Sequence, residues 1–152
     1  MRLLFTFLLF SAFAQAQHHF SLQSGNVIWE RHFSTPEKNV LEQLRKTHKL
    51  HFLTETSGNG LNLAYPCKML FGIDAYFDFR FTVVARDGSY LVSIQNIRFE
   101  DTEDPTLDRS FDPMVKRFNG KELSKSKGAQ ATMKCMDDYL TSLFKTREAV
   151  PQ

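Results

Sequence analysis

The chain has 152 residues, 42% of them hydrophobic, with 19 Lys and Arg against 17 Asp and Glu. That is the length of one domain with a real core. A formal net charge of +2 builds no overall field that would recruit nucleic acid or an anionic membrane.

Residues 1–16 read as a secretory signal peptide. Arg2 supplies the basic start, Leu3–Phe13 is apolar apart from Thr6 and Ser11, and Ala14-Gln15-Ala16 places small residues before a cleavage point at Gln17. The apolar run is short of the roughly 20 residues that span a bilayer, and no transmembrane segment is expected in the mature chain. Residues 17–152 are expected to form a single domain. Gln17-His18-His19 could bind Cu(II) or Ni(II) through amine, amides and imidazole once cleavage exposes the amine. A frayed terminus is the simpler reading.

Asn26–Phe33 (NVIWERHF) reads as a strand, with Val27, Trp29 and Arg31 on one face and Ile28, Glu30 and His32 on the other. Ser34-Thr35-Pro36-Glu37 has capping-box spacing and opens a helix with Val40, Leu41 and Leu44 as its apolar stripe. Arg45, Lys46, His48 and Lys49 end that helix where cations suit the dipole. Leu50–Thr56 is a second strand. Ser57–Gly60 is expected to be a turn, and Leu61–Cys67 a third strand with Pro66 near its end.

Asp74–Phe99 (DAYFDFRFTVVARDGSYLVSIQNIRF) is the clearest stretch. Phe77, Phe79, Phe81 and Val83 alternate with Asp78, Arg80 and Thr82, as in a strand with one buried face. Asp87-Gly88 suits a two-residue type I′ turn. Pairing Arg86 with Ser89 places Val83 opposite Val92 and Phe81 opposite Ile94. The alternation slips near Gln95-Asn96, which predicts a bulge. Glu100–Asp112 is an acidic loop whose oxygens could ligate Ca²⁺, but its spacing does not match the EF-hand and no metal site is assigned. Pro113–Phe118 reads as a short helix and Asn119–Gly128 as a polar, mobile segment. A final helix from about Ala129 to Lys145 carries Met133, Met136, Leu140, Leu143 and Phe144 at helical spacing.

Cys67 and Cys135 are the two cysteines. In an exported chain they read most simply as one disulfide, the alternative being two buried thiols. The element order is then β-α-β-β-β-β-α: an α+β fold with a mostly antiparallel sheet that needs cover on its apolar face.

The segments VIWERHF, RDGSYLVSIQNIRF and KCMDDYLTSLF resemble a secreted Bacteroidota family of unknown function. The hairpin motif is the most specific part, and the family usually has a basic residue where Leu91 stands. The resemblance implies a TBP-like fold, a curved sheet with helices packed on one face. It implies no catalytic residues. It does not imply DNA binding, because a fold is not a function and the outward sheet face lacks a basic surface.

That outward face is expected to present Tyr76, Arg80, Thr82, Val84, Leu91, Ser93 and Gln95. Aromatic and aliphatic anchors among polar neighbours suit protein or peptide contact. The reading is therefore an exported, non-catalytic binding or adaptor module of the cell envelope, secreted or periplasmic. Its partner would be an unknown envelope protein or peptide, with no cofactor and no nucleic acid. One alternative is a carrier of a small apolar ligand, suggested by Phe77, Phe79, Phe81, Met133 and Met136. The other is an unrecognised enzyme, although His32, His48 and His51 are scattered and Ser24-Gly25 and Ser57-Gly58 are turns without a nucleophile-elbow context.

Overall fold

The structure is a computed structural model that describes residues 18–67, 75–101 and 108–146. The expected signal peptide lies outside these residues, as do the connection after Cys67, the middle of the acidic loop and the C-terminal tail.

The elements in chain order are β1 (Phe20–Gln23), β2 (Asn26–Ser34), α1 (Val40–Arg45), β3 (Leu50–Phe52), β4 (Ser57–Ala64), β5 (Ala75–Arg86), β6 (Ser89–Asp101), β7 (Asp108–Ser110), α2 (Asp112–Val115) and α3 (Lys127–Phe144). One sheet runs β1-β2-β6-β5-β4-β3, with β7 paired beside β6, and every pairing is antiparallel. The helices lie on its inward face. This is the expected α+β architecture with β1 and β7 added.

The central hairpin has the expected register. Arg86 pairs with Ser89, Val83 with Val92 and Phe81 with Ile94. Its turn differs in detail, because only Gly88 takes positive φ, at 73°. Asp87 avoids the steric cost that the left-handed region imposes on a side chain. The type I′ signature falls instead at Ser24-Gly25, with φ of 50° and 81°, which joins β1 to β2.

Two further expectations are corrected. Ser34 does not cap a helix: it ends β2, and α1 begins only at Val40 after Asn39, which makes no side-chain cap. Thr35 Oγ1 instead accepts from Glu37 N–H at 3.1 Å, a local bond that competes with helix initiation. Ser57–Gly60 is strand, not turn. The reversal lies just before it, where Thr54 Oγ1 accepts from Ser57 N–H at 3.0 Å. Gly58 and Gly60 are needed for close approach: a Cβ on Gly58 would collide with the His51 carbonyl, and one on Gly60 with the Phe79 ring.

The core sits between the sheet and α3. Phe77, Phe79, Phe81 and Val83 of β5, with Tyr90, Val92 and Ile94 of β6, form the inward rows, and Met133, Met136, Leu140 and Phe144 of α3 cover them. The Phe144 ring stands 5.3 Å from Phe81 and 6.1 Å from Phe79 between centroids. Helix α3 starts at Lys127, two residues earlier than about Ala129, because Ser126 Oγ accepts from Ala129 N–H at 3.2 Å, a side-chain N-cap. Its other end is held by buried Tyr90, whose hydroxyl donates to the Phe144 carbonyl at 2.8 Å and accepts from Thr146 N–H at 3.1 Å. Tyr65 lies edge-on to Phe99 at 4.7 Å, and burial pushes its phenol up to about 12. Cys67 and Cys135 are joined in a disulfide with their Cα atoms 5.9 Å apart. It ties the chain after β4 to the middle of α3.

Candidate binding face

The outward face of the sheet is built by strand alternation. On β5, Tyr76, Asp78, Arg80, Thr82 and Val84 point away from the core and are exposed. Cross-strand pairing sets Arg80 beside Gln95, Thr82 beside Ser93 and Val84 beside Leu91. Six of the seven expected face residues therefore form three adjacent pairs on one surface. Tyr76 stands apart, opposite Glu100, about 13 Å along the strand from Arg80 at the usual rise per residue. Val84 and Tyr76 are 47% and 42% exposed, so both offer apolar area to solvent. Ser93 is less available, since its hydroxyl donates to Glu30 Oε1 at 2.9 Å. Among the described residues no helix packs on this face.

The slip expected at Gln95-Asn96 is a bulge. Asp78 pairs with Arg98 and Arg80 with Gln95, so Asn96 and Ile97 together oppose Phe79. A second bulge lies on the other side of β5. Leu61 and Asn62 together oppose Asp78, between the pairs Gly60–Phe79 and Leu63–Phe77. Both bulges contain an Asn at φ 54°, the residue type that best tolerates the left-handed region after glycine. Asp78 steadies the second one by accepting from Asn62 N–H at 2.5 Å.

The two bulges lie at one level, the kind of irregularity that bends strands locally, and a groove of about 490 Å³ lies beside them on the outer face. Asn59, Leu61, Asp78, Arg80, Asn96 and Arg98 line it. It offers amide, carboxylate and guanidinium groups with one exposed leucine, a mixed set suited to hydrogen-bonding a polar chain. Of these residues, only Arg80 belongs to the binding set expected from the sequence. The signals that could have found the rest are the two Asn residues at the breaks in alternation, Asn62 and Asn96.

The inward side holds a polar cluster that periodicity had hidden. Asp137 of α3 is only 7% exposed. Its Oδ1 accepts from Trp29 Nε1–H at 2.8 Å. His19 Nδ1 lies 2.8 Å from the same oxygen, and Arg31 Nη1 lies 4.0 Å away. A carboxylate only accepts, so His19 Nδ1 carries the proton. This corrects the frayed-terminus reading at His19. It also engages the imidazole that a terminal copper site would use. Among the described residues His32, His48 and His51 are exposed and apart, and no three His, Cys, Asp or Glu side chains are grouped to hold a metal.

The Phe row named for an apolar carrier is occupied by its own neighbours. Phe77 packs on Phe79 at 5.9 Å and on Tyr139 at 5.6 Å, and Met133 and Met136 are fully buried.

No family model matches this chain, and no curated protein matches it. Its fold is that of a crystal structure of a DUF4468 family protein from Bacteroides ovatus, with a TM-score of 0.52 and 15% identity over 88% of this chain and 94% of that one. A TBP-like protein from Parabacteroides distasonis overlays at a TM-score of 0.46 and 11% identity, over 81% of this chain and 90% of that one. The first likeness defines the class as a helix-covered antiparallel sheet shared with that Bacteroides ovatus protein. At this identity it establishes the fold and no activity.

Proposed function

We propose that this chain is an exported, non-catalytic binding module of the bacterial cell envelope that takes a protein or peptide partner on the outer face of its sheet. The observation that carries the reading is exposed Val84 with half-buried Leu91 opposite it, on the same sheet face as the polar groove around Asp78 and Arg80, a face that no described helix covers. Apolar anchors next to hydrogen-bonding groups are the ingredients of a contact surface. The Cys67–Cys135 disulfide suits an oxidising compartment, in agreement with the signal peptide expected over 1–16. The carrier reading has less support, because the side chains proposed for it pack against one another.

The test is native mass spectrometry and co-purification from the envelope fraction, comparing wild type with the double variant Val84→Arg/Leu91→Arg. Two arginines on a solvent-facing row leave the core untouched, so the fold should persist, as reported by the emission of Trp29, the single tryptophan. A partner bound by wild type should be lost from the variant. Undiminished retention of that partner would exclude this face as its site.

A further inference from the structure

Phe118 is the most exposed large hydrophobic residue described, at 112% of its reference area. It is not on a loose segment. Lys116 and Leu123 form an antiparallel bridge, and Arg117 N–H donates to the Glu122 carbonyl at 2.8 Å. Within the turn Gly120 N–H donates to the Arg117 carbonyl at 2.8 Å, and Gly120 at φ 66° turns the chain back toward Glu122 at no Cβ cost. Asn119 Oδ1 accepts from Lys121 N–H at 3.0 Å. The base is anchored by Val115, fully buried, and Leu123, 7% exposed. The polar stretch read as mobile is thus an ordered turn that projects an aromatic ring into solvent.

Its surroundings are basic. Lys116–Gly128 holds five cations, Lys116, Arg117, Lys121, Lys125 and Lys127, against Glu122 within the stretch and Asp112 beside Lys116, a net +3. The whole-chain charge of +2 therefore hides a local positive patch on an otherwise slightly acidic molecule. Lys116 lies 3.6 Å from Asp112 and Arg117 lies 2.7 Å from Glu122. Lys121, Lys125 and Lys127 make no ion pair among the described residues.

We infer that the Phe118 turn docks the protein on an anionic lipid surface, with the ring entering the interface and the lysines meeting the headgroups. The shape favours lipid over an acidic protein. A stable protein interface needs about 800 Å² per partner with matched relief, whereas this is a narrow convex tip carrying one ring. A bilayer needs only an apolar group that can be inserted and a positive rim.

Co-sedimentation of the mature chain with phosphatidylcholine vesicles, with and without phosphatidylglycerol, tests this. Wild type should bind only the anionic vesicles and be released at about 0.5 M salt, where screening is strong. Phe118→Ala should weaken binding about 10- to 100-fold, from the apolar area that the ring would no longer bury. Lys121→Ala, Lys125→Ala and Lys127→Ala should each cost about 5-fold. These side chains are exposed, and unchanged Trp29 emission checks that the variants fold. Absence of binding to anionic vesicles, equal binding to both vesicle types, or binding indifferent to Phe118→Ala would overturn the inference. The first result would leave an acidic protein as the occupant of the turn.

Discussion

Asp137 shows how much one side chain can organise. It lies within the apolar stripe of α3, and helical spacing marks it only as an interruption between Met136 and Leu140. In the fold it receives the Trp29 indole from β2 and the His19 ring from the chain before β1, so two distant segments are fixed on one oxygen. Leaving a buried donor without an acceptor costs about 1–3 kcal/mol. Asp137→Ala should therefore destabilise the domain by about that amount. Asp137→Asn, which keeps an acceptor for the indole, should cost less. Chemical denaturation followed by Trp29 emission measures both. Equal stability of Asp137→Ala and wild type would show that the cluster contributes nothing net.

The strands were legible where one face is buried, because a period of two then exposes the register. Val83 opposite Val92 and Phe81 opposite Ile94 followed from that rule and the Asp-Gly turn. The rule fails at β4, where Gly58 and Gly60 carry no side chain to alternate and the dipeptides look like turns. Their absent side chains make room for the His51 backbone and the Phe79 ring, neighbours brought close only by the sheet. Gly60→Ala should push its methyl group into that ring and destabilise the β4–β5 pairing by about 1–3 kcal/mol, the usual cost of overpacking a filled core. Thermal unfolding of the variant, with hydrogen exchange of the β3 and β4 amides, would detect it. Unchanged protection and melting temperature would mean that Phe79 moves aside freely. The late start of α1 has a related cause. Ser34 is claimed by pairing with Ser89, and a strand partner overrides a local cap.

At the scale of the whole molecule, the disulfide joins positions 68 apart in sequence. Closing a loop of that size restricts the unfolded chain, and the chain-entropy estimate is about 4 kcal/mol. Reduction, or Cys67→Ser with Cys135→Ser, should lower the melting temperature by roughly 10 °C for a chain of this size. Calorimetry with and without reductant reads this directly, and a shift near zero would show that the fold does not depend on the bridge.

The fold class, the central hairpin and its register, the outward row from Arg80 to Gln95, and the amphipathic helix that covers the core are legible in the residues themselves. These depend on local periodicity and short-range turn chemistry, which act between neighbours along the chain. The disulfide expected from the two cysteines is present; contacts across the fold fix what spacing along the chain does not, namely that Asp137 gathers Trp29 and His19, that two Asn bulges share one level on the outer face, and that Phe118 is held out on a basic tip. Each of these joins residues far apart in sequence, or depends on what fails to cover a side chain. Neither property is encoded in the spacing of residues along one strand or helix.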